Sequence, residues 1–171
     1  METITRRAGK TRSVKEKTHT GLSAASSELV ARELNQLLAD EVVLYIKTLN
    51  FHWNIEGEGF HAMHVFLEEQ YNKLQELIDG VAERIRKVGH YASGSMKEFM
   101  KDASLKETSG GKITPYMLAE LAAGHDAIIR NARELINKFT NDYDDSGSAD
   151  FVTGLMRDHE KMSWMLHASL K

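Results

Sequence analysis

FHAMHVFLEEQYNKLQELIDGVAERIRKV, residues 60–88, is the stretch that decides the fold. Its apolar residues recur at the period of an amphipathic α-helix, at Leu67, Leu74, Leu77, Ile78, Val81, Ile85 and Val88. Gly89 follows directly, and glycine commonly follows the end of a helix. One apolar face on so long a helix needs other helices to cover it, so the stretch predicts a helical bundle.

The sequence predicts three further long helices, over residues 27–53, 114–141 and 148–169. Each keeps apolar residues at helical spacing. Ser26 or Ser27 is the predicted cap of the first helix, because a serine side chain accepts a hydrogen bond from a free backbone N–H there. The single proline of the chain stands in the first turn of the third long helix, where proline is tolerated.

A Gly- and Ser-rich crossover joins the second and third long helices, over residues 90–112. It contains one short amphipathic piece, Met96 to Ala103, that predicts a small helix. Four long helices with one long crossover are typical of the all-α, ferritin-like four-helix bundle. We therefore expect one bundle domain over residues 23–171.

The composition narrows the possible chemistry. A chain of 171 residues is long enough for a single domain with a core of its own. It contains no cysteine, which excludes disulfides and thiolate metal sites and leaves His, Asp and Glu as metal ligands. No apolar run approaches the length of a membrane span, and the first twenty residues lack the apolar stretch of a secretory signal, so we expect a cytoplasmic protein.

Residues 1–22 differ in charge from the rest of the chain. The first twenty residues hold six cations against Glu2 and Glu16, whereas the remainder has a formal charge of −7. Such a segment has too few apolar residues to order itself, so it is predicted to be a flexible basic arm. DNA phosphates are a candidate partner and a merely solvated terminus is the alternative. The candidate DNA contacts are Arg6, Arg7, Lys10, Arg12, Lys15 and Lys17.

Four potential metal ligands lie on one stripe of the helix at residues 60–88. With His64 at zero on a helical wheel, Glu68 falls at about 40°, Asp79 at about 60° and Glu83 at about 100°. An ordinary solvated face has the same appearance. Glu68 and Asp79 are separated by about 16 Å along the axis, so one chain cannot bring both pairs to one ion.

A two-fold axis would remove this difficulty. Two copies of the helix lying antiparallel would bring His64 and Glu68 of one chain opposite Asp79 and Glu83 of the other, and would make two identical sites. His52, close to the turn before the helix, would add a second imidazole near His64. Imidazole and carboxylate ligands suit iron(II), with zinc, manganese or cobalt as competitors.

Three segments together carry a family resemblance. They are NFHWNI at residues 50–55, GFHAMH at residues 59–64 with Glu68, and DGVAER at residues 79–84. This pattern resembles the Dps family, the mini-ferritins that protect DNA in starved cells, and the resemblance extends over most of the chain. The short crossover helix also fits that family.

The resemblance implies both an activity and an assembly. It implies a ferroxidase centre filled by His52, His64, Asp79 and Glu83, with Glu68 where the family usually has Asp. It implies a hollow shell of twelve subunits in which hydrogen peroxide oxidises iron(II) and the iron(III) is stored. Trp53, beside His52, would pack over the site or supply electrons, and a plain core position is the alternative. Trp164 is predicted to lie in the core.

His61 and the acidic loop each allow two interpretations. His61 shares the stripe of His64 and is either an additional ligand or a solvated residue at a helix start. Asp144, Asp145 and Asp150, with Asp142, would line a cation pore if they do not merely form a solvated loop. The remaining histidines have no partner at ligand spacing, namely His19, His90, His125, His159 and His167.

Two rival functions remain open. A true ferritin or bacterioferritin would carry its di-iron site inside the bundle, with Glu-x-x-His motifs on two helices. Glu58 and His61 match that motif once, at a turn. An architectural DNA-binding protein of the nucleoid would use the stripe as an interface and would not oxidise iron.

Overall fold

The computed structural model describes residues 20–108 and 113–171, and over those residues the protein is helical with no β-strand. The helices are α1 (Ala24–Asn54), α2 (Phe60–Lys87), α3 (Met96–Asp102), α4 (Thr114–Asn137) and α5 (Ser146–Ser169). The prediction of an all-α bundle with a short crossover helix is confirmed. The predicted basic arm lies outside the described residues except for its last three.

The bundle consists of two helical pairs, α1 with α2 and α4 with α5, which share one apolar core. The predicted apolar face of α2 is buried, including Leu67, Leu74 and Ile85, each 0% exposed. α1 is buried along most of its length, because it also packs against α3 and α4. Gly89 ends α2 with a φ of 94°, a conformation that favours glycine.

The helix ends differ from the predictions by a few residues. The cap of α1 is Ser23, whose side chain accepts a hydrogen bond from the N–H of Ser26, so the expected capping by Ser26 or Ser27 is wrong. α4 continues through a π-helical turn, Lys138–Asp142, and Asp145 caps α5. The acidic loop is therefore shorter than expected.

The crossover is fastened to the bundle by a buried carboxylate on α1. Asp40, which is 2% exposed, accepts hydrogen bonds from the backbone N–H groups of Ser104 and Leu105 at 2.7 and 2.8 Å. At the start of α3, Ser95 and Glu98 form a reciprocal capping box. These bonds hold the crossover against α1.

One predicted core residue lies on the surface. Trp164 is 67% exposed. Trp164 lies about 180° around α5 from the buried Leu155, whereas the buried Leu166 lies within about 20° of Leu155. The helical phase of Trp164 therefore places it away from the core, and the predicted core position is wrong. Among the described helices, none is long and apolar enough to cross a membrane.

Candidate metal centre

Two histidines meet where α1 ends and α2 begins. The rings of His52 and His64 are stacked, with centroids 3.7 Å apart and an angle of 22° between their planes. His52 is only 7% exposed, and His64 is half-buried. The expected proximity of the two imidazoles is present within a single chain.

Reciprocal hydrogen bonds fix both rings. Nδ1 of His52 lies 2.9 Å from the carbonyl oxygen of His64, and Nδ1 of His64 lies 2.9 Å from the carbonyl oxygen of His52. A carbonyl oxygen can only accept, so both Nδ1 atoms carry a proton and donate. In the neutral rings, the lone pairs are therefore on Nε2. A hydrogen bond from the second ring nitrogen is also how proteins orient metal-binding imidazoles.

Tyr71 is a part of this group that the sequence analysis missed. Its ring packs edge-on against His52 at a centroid distance of 5.1 Å, and its hydroxyl lies 3.4 Å from Oε1 of Glu68. Burial and the neighbouring Glu68 carboxylate raise the pKa of Tyr71, so its hydroxyl keeps the proton that it donates. Its position at about −20° on the wheel, beside His64, was an available signal.

The second pair of predicted ligands lies towards the other end of α2. Asp79 and Glu83 are exposed, and Glu83 forms an ion pair with Lys87 at 2.9 Å. A pair between two exposed side chains is weak and is easily exchanged for a stronger partner. The helical rise separates Asp79 from Glu68 by about 16 Å, as expected from the sequence.

Within one chain the predicted ligands therefore lie in two separate groups, which we call half-sites. Within the described residues of one chain, no group of three or more His, Asp or Glu side chains is placed to hold a metal ion. The imidazoles with Glu68 form one half-site, and Asp79 with Glu83 forms the other. Both half-sites lie on α2 or at its start, so a second copy lying antiparallel would pair them.

Two residues beside the imidazoles are exposed in the single chain. Trp53 is 68% exposed, and its indole therefore has room for a neighbouring molecule. His61 is also exposed, one turn before His64. Phe60 is also partly exposed, at 43%, and its ring lies against the His64 ring at a centroid distance of 5.1 Å.

The predicted pore residues divide into two groups. Asp144 and Asp150 are exposed. Asp145 is buried and fully engaged, because it caps the N–H of Ser148 at 2.9 Å and pairs with Arg84 at 3.0 Å. Asp145 therefore orders the start of α5, which carries Asp150. The six cations proposed to contact DNA lie outside the described residues.

Known proteins are similar to this chain over most of its length. A ferritin-like domain model matches residues 31–171. A low temperature-induced protein of Nostoc sp. is 41% identical over 152 residues, which make up 88% of this chain and 85% of that protein. The DNA protection during starvation protein of Brevibacillus brevis is 31% identical over 150 residues, covering 88% of this chain and all of that protein.

Solved structures are similar over most of their length. The Dps protein of Vibrio cholerae, described as one of the ferritin-like diiron-carboxylate proteins, has a TM-score of 0.86 and 32% identity, covering 90% of this chain and 96% of that one. Dps from Staphylococcus aureus has a TM-score of 0.80 and 33% identity, covering 84% and 96% of the two chains.

Proposed function

The chain belongs to the Dps family of ferritin-like proteins, and on that premise we propose that it oxidises iron(II), stores the iron(III) and thereby protects DNA. The observation that carries the proposal is the pair of His52 and His64. Both Nδ1 atoms are held by carbonyl oxygens, which leaves Nε2 of each ring to bind a metal ion.

The complete centre is proposed to lie between two copies of the chain. His52, His64 and Glu68 of one copy bind iron(II) together with Asp79 and Glu83 of the other. The carboxylates stabilise the higher charge of iron(III) as it forms, and the imidazoles bind iron(II). Zinc and other divalent ions that accept nitrogen and oxygen ligands compete for the same atoms.

Hydrogen peroxide is the proposed oxidant. Two iron(II) ions each give up one electron, the O–O bond breaks, and two protons complete two molecules of water. No hydroxyl radical is released when both electrons arrive together. Trp53 adjoins His52 and is the proposed electron donor when peroxide is in excess over iron.

The proposed assembly is a hollow dodecamer built from these two-fold pairs. Iron(II) is proposed to enter through pores lined by Asp144 and Asp150, whose exposed carboxylates attract cations. Asp145 holds that segment in place through Ser148 and Arg84. The dodecamer fits membership of the Dps family.

A di-iron site within one bundle is not favoured. Such a site needs several carboxylates directed into the core. The buried carboxylates among the described residues are Asp40, Glu41 and Asp145. Asp40 holds the crossover and Asp145 caps α5, so Glu41 alone remains for the interior.

The direct test compares peroxide consumption with iron(II) oxidation. Wild-type protein should consume one peroxide for every two iron(II) ions, and Asp79→Ala with Glu83→Ala should abolish this stoichiometric reaction because one half of every site is gone. Glu69→Ala with Glu134→Ala removes the same charge elsewhere and should leave the reaction intact. If the Asp79 and Glu83 variant keeps the wild-type stoichiometry, the proposed centre is wrong.

DNA binding by residues 1–20 is a separate proposal with its own test. The six cations, repeated on every subunit of a shell, would bind phosphates by avidity. Deleting residues 1–20 should abolish retention of duplex DNA at low salt while iron oxidation continues. Gel-shift titration at two salt concentrations measures this. Unchanged retention would exclude the arm as the contact and would leave the iron chemistry unaffected.

A further inference from the structure

A second cluster of titratable side chains lies inside the bundle, apart from the α2 half-sites. Glu41 on α1, His125 on α4 and His159 on α5 are each 0% exposed. Spacing along the sequence assigned no role to His125 or His159. The three residues come from three separate helices, so no spacing along the sequence connects them.

The cluster is a linear chain of hydrogen bonds. Nε2 of His159 lies 2.8 Å from Oε1 of Glu41, and Nδ1 of His159 lies 2.9 Å from Nδ1 of His125. At each end of this row of hydrogen bonds is a buried atom that has no hydrogen-bond partner, namely Oε2 of Glu41 and Nε2 of His125. Buried polar atoms without partners are uncommon and call for an explanation.

While Glu41 is ionised, counting hydrogens gives two possible states. Without an additional proton, His159 donates to the Glu41 carboxylate and accepts from His125, and the cluster has one net negative charge. With one additional proton, His159 is an imidazolium that donates in both directions, and the cluster is neutral overall. A proton added at Nε2 of His125 converts the first state to the second, because the proton on Nδ1 of His125 then moves to Nδ1 of His159.

Among the buried residues of the described long helices, no other cation is available to neutralise Glu41. The other buried titratable groups of α1 have their own partners: Asp40 binds the crossover, Lys47 pairs with Glu120, and His52 binds His64. The buried residues of α2 have no titratable side chain, and those of α4 and α5 add none beyond the two histidines. A buried charge without compensation is strongly unfavourable.

His125 itself is not the charged ring. Burial, and secondarily the neighbouring His159, hold the pKa of His125 well below its usual range. His159 has a partner on each nitrogen, one of which is a carboxylate, so it is the ring that can be charged with both N–H groups satisfied.

We propose that Glu41, His159 and His125 form a buried binding site for one proton, which is carried by His159 in the folded protein. The linear geometry favours a proton over a metal ion, because His159 directs opposite nitrogens to its two neighbours. Ligands of a metal ion would converge on one point, and no described group of three does so.

This site predicts how the stability of the bundle depends on pH. Below about pH 6.5 the unfolded chain protonates the His125 ring, whereas burial keeps that ring neutral in the folded chain, so stability falls as the solution is acidified. The slope approaches a tenfold change in the unfolding equilibrium constant per pH unit.

Solid-state NMR of the full-length assembled protein, labelled with nitrogen-15 in histidine, tests the assignment directly. At about pH 8, where ordinary histidines are neutral, one buried imidazolium should remain. It should be absent from His159→Gln and from Glu41→Gln, and present in the control Glu33→Gln. Two neutral buried rings in wild-type protein would overturn the proposal even if neither core variant folds.

The same samples distinguish a proton from a metal ion. Zinc(II) added to the chain that carries Asp79→Ala and Glu83→Ala should leave the His159 signals unchanged. Loss of the imidazolium signal on adding zinc(II) would show that a metal ion occupies the cluster and would overturn the proposal. Iron oxidation by the wild-type protein does not enter either measurement.

Discussion

Two inactive variants of this chain are expected to form an active particle when they are folded together. One variant carries His52→Ala with His64→Ala, and the other carries Asp79→Ala with Glu83→Ala. Each lacks one half of every site, so particles of either variant alone should oxidise iron(II) no faster than solution. In a mixed pair, one of the two sites joins intact imidazoles to intact carboxylates, so random pairing should restore about a quarter of the wild-type sites.

The measurement is the initial rate of peroxide-dependent iron(II) oxidation per subunit after co-refolding. Mixing the two variants after each has assembled should give no recovery, because their chains no longer exchange. The matched control is the co-refolding of two single variants, one carrying His52→Ala and the other His64→Ala. Both changes damage the imidazole half-site, so no mixed pair contains an intact site. Recovery in that control, or none in the complementary mixture, would contradict a centre shared between chains.

The sequence contained most of the information on the two half-sites, because both depend on helical phase. His64, Glu68, Asp79 and Glu83 are all on α2, where position along the chain determines position in space. His52 was placed correctly because a short turn connects α1 to α2 and leaves the chain little freedom. Their hydrogen bonds to each other's carbonyl oxygens depend on side-chain rotation, which spacing does not determine.

The features that escaped sequence reasoning depend on contacts between distant segments. Asp145 was expected in a pore, but it caps α5 and pairs with Arg84, which is 61 residues away. In the cluster of Glu41, His125 and His159, the Glu41 carboxylate and its hydrogen-bond partner His159 are 118 residues apart in the sequence. No feature of the neighbouring sequence distinguishes these buried polar residues from exposed ones, because their partners come from other helices.

The internal cluster also accounts for a conflict in the pattern of α1. Glu41 interrupts a stretch of buried apolar residues, where Leu38, Val42 and Leu44 lie within one turn of it. A charged residue in such a place is tolerated only with a partner. His159 is that partner, and its own second nitrogen requires His125. The three polar residues therefore stabilise the bundle only as a group.

Removing one member of this group is expected to cause the largest loss of stability of any single substitution considered for this chain. Glu41→Ala leaves Nε2 of His159 without its hydrogen-bond acceptor and opens a cavity. Breaking a buried ion pair in this way costs roughly 3–5 kcal/mol. For a domain of this size that corresponds to a lower unfolding temperature, by on the order of 10 °C. Thermal unfolding followed by circular dichroism, at equal subunit concentrations, measures the shift.

Glu33→Ala is the appropriate comparison, because it removes the same side chain from the same helix. Glu33 pairs with Lys138 at 3.3 Å; the Glu33 side chain is 13% exposed and the Lys138 side chain is 39% exposed, so water reaches the lysine and weakens that pair. Its loss should cost about 1 kcal/mol or less. Glu41→Gln keeps an acceptor for His159 and should fall between the two. Equal unfolding temperatures for Glu41→Ala and Glu33→Ala would mean that the buried contact contributes no more than a surface pair, and the stabilising role given to the cluster would be wrong.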